Sequence, residues 1–431
     1  KRCAHLCEDL AAREADGERL AELQEMARIC RKVPAQPAET WWEALQSFHF
    51  AHMATALVEG GNSHSAGRFD QYMLPYLRGD LENGRLSRKR AQELLECLFL
   101  KFNEVQVHTV GYTRLAAAPA MGNNDKINIG GIDERGWDCT NELSYMLLEA
   151  HAHVHLNDPN VCVRLHRGTP EDFLKCTLEV IRLGGGLPLL VSDEVIPQAL
   201  MATCGVSLVD ARNYGDTGCQ ENVTDPNSGN RVDTNGRTNA GWFNLVKPIE
   251  LALWNGLNPV NGLQVGPRTG EPGTFGTMDE FVAAVRQQFE HAVRLNTILN
   301  NVQDYTFARH YPCVYHDLMH PGPRRTGIDI NAGGCRYNWT GSLAAGTGTA
   351  GDVLAAIDHV IFQRKEASWD ELLAALSENW KGYEALRQKC LRAPKYGTDD
   401  DFADAWTKRL LDLFFAVYEA HPTPRGGHYV C

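Results

Sequence analysis

Cys219 and Glu221 stand two residues apart in the stretch Asn213-Tyr-Gly-Asp-Thr-Gly-Cys-Gln-Glu-Asn-Val-Thr224. In an extended or tightly looped backbone, residues i and i+2 project to one side. A thiol and a carboxylate so placed reach the same small molecule, one as reactive sulfur and the other as proton donor or acceptor. Gly215 and Gly218 imply a backbone that turns tightly or approaches another surface closely. The alternative reading is a buried structural Cys beside a surface Glu, since free Cys is among the most buried residue types.

Four other groups carry candidate chemistry. Asn62, Ser63, His64 and Ser65 form a polar loop suited to gripping hydroxyls or carboxylates, or else a solvated turn. Asp233 lies fourteen residues after Cys219 in a polar segment that could return to the same pocket, or it is a surface Asp. His151, His153 and His155 alternate, so a strand would put their rings on one face. Only Asp158 is spaced to complete a ligand set with them, so a structural or substrate-lining role is expected and no metal is assigned. Gly346-Thr-Gly-Thr-Ala-Gly351 matches G-x-G-x-x-G, but Gly341-Ser-Leu-Ala-Ala345 is a poor strand before it and no Lys-Ser or Lys-Thr follows. A close-packed helix entry is expected there; a nucleotide-binding dehydrogenase is the competing reading.

These residues need elements to hold them. The spacing of Leu6, Leu10, Leu20, Leu23 and Met26 predicts a helix over residues 1–31, and a second apolar helix follows over 41–58. Ser87 caps an amphipathic helix carrying Ala91, Leu94, Leu95, Leu98, Phe99 and Phe102. Lys126-Ile-Asn-Ile-Gly-Gly131 reads as a strand, Thr140 starts a helix, and residues 151–166 alternate like a strand. Thr169-Pro170-Glu171-Asp172 is a helix start with Pro at the first helical position. A strand is expected by Val191 and helices over 193–203 and 242–254. Thr277 with Glu280 opens a long helix to about Asn300, and residues 327–340 read as strand-like. Gly346 to Gly351 opens a helix over 352–362, Ser368 with Glu371 caps another, and the last runs over 404–420. Strands alternating with helices, without repeats or low-complexity linkers, give an α/β architecture in one large domain.

The totals narrow the class. The chain has 431 residues, 43% hydrophobic and 22% charged, enough for a large core. Its net charge of −12 argues against nucleic acid as a partner. No apolar run approaches the roughly 20 residues that span a bilayer. Residues 1–13 are polar and helix-like, unlike a signal peptide. Thirteen scattered Cys without a C-x-x-C pair fit a reducing cytoplasm rather than a disulfide framework or a zinc site.

Motifs in order along nearly the whole chain resemble the pyruvate formate-lyase superfamily of glycyl radical enzymes. They are Trp42-Glu-Ala-Leu-Gln-Ser-Phe48, Gly67-Arg-Phe-Asp-Gln-Tyr72, Ile129-Gly-Gly131, Asn141-Glu-Leu-Ser-Tyr145 and Val163-Arg-Leu-His166. Pro188, Asp193-Glu194 and Asp210-Ala-Arg-Asn-Tyr214 then lead into Gly218-Cys-Gln-Glu221. Asn331-Ala-Gly-Gly-Cys-Arg-Tyr-Asn338, Leu354-Ala-Ala-Ile357 and Ala393-Pro-Lys-Tyr-Gly397 complete the series.

The resemblance implies a ten-stranded α/β barrel of two five-stranded halves surrounded by helices, with Cys219 on a finger loop inside. It implies that Cys219 carries a transient thiyl radical and that Glu221 transfers protons, giving a lyase that eliminates water or another group from a small polar substrate. Pyruvate formate-lyases proper have adjacent cysteines; Gly218 before Cys219 departs from that, which leaves a formate acetyltransferase-like reaction as a lesser alternative. An arylacetate-type decarboxylase and an inactive fragment or scaffold are the others. Asn62-Ser63 stands where the diol-cleaving members have a His-Ser pair, a departure that speaks against a glycerol or propanediol substrate and leaves an elimination open. Asp233 resembles an aspartate of the same dehydratases, and Asn62, Ser63 and Asp233 are the candidate substrate contacts. No Arg-Val-x-Gly-Tyr motif occurs, and Arg425-Gly-Gly-His-Tyr-Val-Cys431 stands about where the family's glycyl radical region begins. Residues 1–431 therefore read as one incomplete barrel domain. No cofactor is expected on this chain itself, and the radical glycine is expected outside it, installed by a radical S-adenosylmethionine activating enzyme. A cytoplasmic homodimer is the implied setting.

Overall fold

The computed structural model describes residues 1–58, 63–104, 124–218, 221–224, 233–236 and 240–430. It has two compact units, one of Lys1–Thr234, Cys313–Ile330 and Gly334–Tyr337, the other of Asn235–Pro312, Asn331–Gly333 and Asn338–Cys431.

In the first unit, β1 (Lys126–Gly130), β2 (Asn160–Leu165) and β3 (Leu189–Ser192) form a parallel sheet in that order. Parallel neighbours need crossovers, here the helices Glu142–Val154 and Glu171–Ile181. Ile127 pairs with Val161 and Ile129 with Val163, and all four are buried against Trp41, Phe69, Leu95, Phe99 and Phe102. β1 alternates these apolar residues with Lys126 and Asn128, which are also buried. Its second face is thus polar and enclosed. β4 (Tyr214–Thr217) and β5 (Glu221–Thr224) form a separate antiparallel hairpin.

The second unit has β6 (Trp242–Asn244), β7 (Thr340–Gly341), β8 (Leu343–Ala345) and β9 (Tyr429–Val430), paired in parallel as β6 with β8 and β7 with β9. Phe243, Phe281, Phe289, Phe414 and Tyr418 are buried together in its core. No described helix is long and apolar enough to cross a membrane.

Local signals located the elements better than their limits. Ser87, Thr277 and Ser368 are N-caps whose side chains accept from the backbone three residues on. The N-terminal helix is two, Arg2–Ala11 and Gly17–Lys32, because Asp16 caps a new start. The helix after Thr277 runs past Asn300 to His310, as no Gly or Pro intervenes before Pro312. Pro170 is an N-cap rather than the first helical residue. The expected helix over 242–254 begins as strand β6 and turns helical at Val246–Leu253. Residues 327–340 are mostly turns and a short 3-10 helix, Ile330–Ala332. Gly346 to Gly351 does follow a strand, β8, and caps the helix Thr347–Ile357. A Cβ on Gly351 would lie 1.8 Å from Thr407 Oγ1, so this glycine is required by packing onto the helix Asp401–Glu419.

The alternating histidines are not on a strand. Asn141 and Ser144 form a reciprocal capping box, and the helix they start runs to Val154. His151 and His153 are therefore about 200° apart around a helix. His151 is buried, His153 reaches out to Glu96 Oε1 at 2.7 Å, and His155 ends the helix with φ 47°. The three rings do not gather on one face: His153 points away, while the His151 and His155 ring centres lie 6.4 Å apart. Burial, with His155 adding repulsion, pushes the His151 pKa down from 6.5 to about 4. Below about pH 6.5 the unfolded chain takes up a proton that the folded chain refuses, so this stability is complete above 6.5 and falls away towards 4. Between pH 7 and 4.5, wild type should lose about 2–3 kcal/mol more than His151→Leu in urea titrations. Parallel pH profiles would remove His151 as the source.

Candidate functional site

The hairpin β4–β5 gathers the described site residues. Thr217 pairs with Glu221 across it, and Gly218 follows at φ 59° in the left-handed region. A Cβ there would be strained and would lie 2.7 Å from Glu221 Oε2 and 3.4 Å from Ser63 Oγ. The glycine thus leaves a space flanked by a carboxylate and a hydroxyl, directly before Cys219 in sequence. Cys219 itself and Asn62 lie outside the described residues. Thr217 ties the serine loop to the hairpin: its Oγ1 donates to the Ser63 carbonyl at 3.2 Å and lies 2.8 Å from Ser65 Oγ. Glu221 is buried.

Two polar residues of β1 hold the hairpin. The Asn128 side chain accepts from the Asp216 N–H at 2.8 Å and donates to the Asp216 carbonyl at 2.9 Å, copying one step of a β-ladder. Lys126 Nζ pairs with Asp216 Oδ2, and both side chains are fully buried. Burial first, then the charge of Glu221, push the Asp216 pKa up to about 6 against the opposing pull of Lys126. Below these, Arg164 makes a two-point contact with Asp193 at 2.9 and 3.0 Å and donates to the carbonyls of Arg212 and Tyr214 at 2.8 and 3.0 Å. The Tyr214 hydroxyl donates to Asp193 Oδ1 at 2.7 Å, and the Arg164 guanidinium lies 4.1 Å from the Tyr214 ring centre. Arg164 is completely buried, so the first residue of β4 is fixed by a desolvated ion pair.

Asp233 is buried too, contrary to the surface alternative. The Thr224 and Thr234 hydroxyls bond to each other and join the end of β5 to its neighbourhood. Asp233 Oδ2 accepts from the Arg336 N–H at 3.1 Å, and its carbonyl accepts from the Tyr337 N–H at 3.0 Å. His320 Nδ1 lies 3.8 Å from Asp233 Oδ1 and 3.5 Å from Cys335 Sγ. Burial pushes the His320 pKa down to about 4. Sequence reasoning singled out Cys219, Glu221, Ser63 and Asp233 but not Lys126, Asn128, Asp216, His320 or Cys335. The alternation of polar Lys126 and Asn128 within an apolar strand was the available signal for the first two.

A protein-family model described as pyruvate formate lyase-like matches residues 1–431. The trans-4-hydroxy-L-proline dehydratase of Clostridioides difficile is 34% identical over 432 residues, covering 100% of this chain and 54% of that protein. The glycerol-bound B12-independent glycerol dehydratase of Clostridium butyricum matches with TM-score 0.93 and 32% identity over 99% of this chain and 53% of that one. A glycyl radical enzyme of Archaeoglobus fulgidus matches with TM-score 0.90 and 35% identity over 99% of this chain and 54% of that one. The chain spans about half the length of these relatives. It has the fold that they have, the α/β barrel class expected from the sequence.

Proposed function

The chain belongs to the pyruvate formate lyase-like family, and on that footing we propose that it supplies the catalytic hairpin of a glycyl radical lyase. The observation that carries this reading is the side-chain-free position at Gly218, flanked by the Glu221 carboxylate and the Ser63 hydroxyl and followed directly by Cys219. The radical, on a glycine outside this sequence and installed by a separate radical S-adenosylmethionine enzyme, supplies the unpaired electron. Cys219, its thiol hydrogen given up to that radical, would take a hydrogen atom from a substrate carbon as a thiyl, breaking C–H and re-forming S–H. Glu221 accepts a proton from the substrate and gives it to the leaving group, so it ends as it began. Cys219 then returns its hydrogen to the product carbon. Ser63, with Asn62 and Asp233, orients the substrate's polar groups. Enclosure matters because solvent would quench the intermediates.

Elimination from a small hydroxylated substrate is favoured over decarboxylation or pyruvate cleavage. Relatives named as dehydratases of hydroxyproline and glycerol support that preference. We further read residues 1–431 as one incomplete barrel domain of a cytoplasmic homodimer. The test is to activate the whole protein anaerobically and supply vicinal diols, hydroxylated amino acids, hydroxysulfonates and arylacetates. Loss of water or sulfite from one of the first three is expected. Carbon dioxide from an arylacetate alone would instead favour the decarboxylase, and no turnover of any would favour the scaffold.

A further inference from the structure

Asp233, His320 and Cys335 come from three separate segments of the first unit, and all three are buried. Their nearest donor atoms, a carboxylate oxygen, Nδ1 and Sγ, lie within 4.8 Å of one another. We propose that they form a binding site for a thiophilic divalent transition metal, with Zn2+ as the type.

The choice of nitrogen separates this from a nucleophilic triad. In a Cys-His-Asp relay the thiol and the carboxylate face opposite nitrogens of the ring, so that one accepts while the other donates. Here the same atom, His320 Nδ1, faces Cys335 Sγ at 3.5 Å and Asp233 Oδ1 at 3.8 Å. Three donors converging on one point are arranged for a cation, not for passing a proton through the ring. Bond lengths of about 2.0–2.3 Å to N, O and S put tetrahedral ligand atoms roughly 3.3–3.8 Å apart, close to the two separations measured.

The carboxylate gives an independent sign. Asp233 Oδ1 has no hydrogen-bond partner among the described residues, although the atom is buried. An ionised oxygen in that position is costly unless something positive meets it. Its other oxygen is held by the Arg336 N–H, which fixes the direction in which Oδ1 points. The surroundings are shaped around the group. A Cβ on Gly322 would lie 2.3 Å from Asp233 Oδ2, so only glycine leaves room for the carboxylate. Sulfur, imidazole and carboxylate together suit Zn2+ and disfavour Mg2+ or Ca2+. Binding releases the Cys335 thiol proton to solvent. Three protein donors leave a fourth position for water or a substrate oxygen, which would make the contact of Asp233 with substrate indirect.

This inference does not rest on the radical reaction, and its test uses no turnover. The chain is stripped of metal under anaerobic, reducing conditions and titrated with Co2+, then with Zn2+ in competition. One equivalent of Co2+ is expected to give visible bands of tetrahedral intensity with thiolate-to-cobalt charge transfer, erased by Zn2+. Cys335→Ser should abolish the charge-transfer band, and His320→Gln should weaken binding by more than about 10-fold. Cys139→Ser, at a partly exposed thiol that is not one of the three donors, should change neither. No charge-transfer band in wild type at one equivalent overturns the site even if the variants fail to fold. So does a band lost equally in Cys139→Ser, which would mean adventitious thiol binding only.

Discussion

Cys219→Ala in the whole, activated protein is expected to lower turnover by at least about 10,000-fold, as when the residue that opens a covalent reaction is removed. The loss should appear in kcat. Substrate affinity should stay near wild type, because Ser63 and the neighbouring polar groups are untouched. Glu221→Gln is the matched comparison: it keeps size and hydrogen bonding but cannot carry the proton, and should cost about 100- to 10,000-fold. The two losses should not multiply in the double variant if both residues serve one sequence of steps. Turnover within tenfold of wild type in Cys219→Ala would sink the thiyl assignment whatever Glu221 does.

Arg164→Met is expected to destabilise the first unit by about 3–5 kcal/mol, the range for breaking a buried ion pair from one side. Among the described residues, Asp193 would be left buried with donors only from Tyr214 and the Ile132 N–H. The carbonyls of Arg212 and Tyr214 would lose theirs as well. Arg164→Lys should recover little, since an ammonium group cannot span the carboxylate and both carbonyls at once. Urea titration gives the magnitude. Hydrogen exchange locates it: the amides of Tyr214 to Thr217 should exchange faster in Arg164→Met while those of the helix Arg88–Phe102 hold. A loss below about 1 kcal/mol would mean that the pair contributes nothing net and that the hairpin is anchored elsewhere.

What the sequence disclosed follows the range of the interactions. N-caps at Ser87, Thr277 and Ser368 were readable because a cap and its amide are three residues apart. The proposal that Cys219 and Glu221 act together rests on the same short range, and the strands on either side of Gly218 were not expected. His151 to His155 failed because polar residues spaced two apart mimic a strand locally, while the capping box that decides the matter lies seven residues upstream of His151, at Ser144 and beyond. The grip of Lys126 and Asn128 on Asp216 joins residues about ninety positions apart, and no window on the chain contains both ends. The convergence of Asp233, His320 and Cys335 is of that kind too. His320 drew no attention in sequence, and Cys335 entered only as part of a motif.

Seen mechanically, the Asn128 clamp on Asp216 leaves only a short overhang of the hairpin beyond it. Gly218, two residues beyond the clamped peptide, lies roughly 7 Å further along at the usual strand rise. A rocking of about 5° at the clamp would then displace the tip by only about 0.6 Å. A displacement of about 1 Å at reacting atoms can cost on the order of 100-fold in rate. An overhang twice as long would exceed that tolerance under the same rocking. The brevity of that overhang is therefore a stiffness specification, and lengthening the hairpin beyond Asp216 by two residue pairs, which keeps the faces of the strands, should blunt the tip's aim even with every side chain of the site retained.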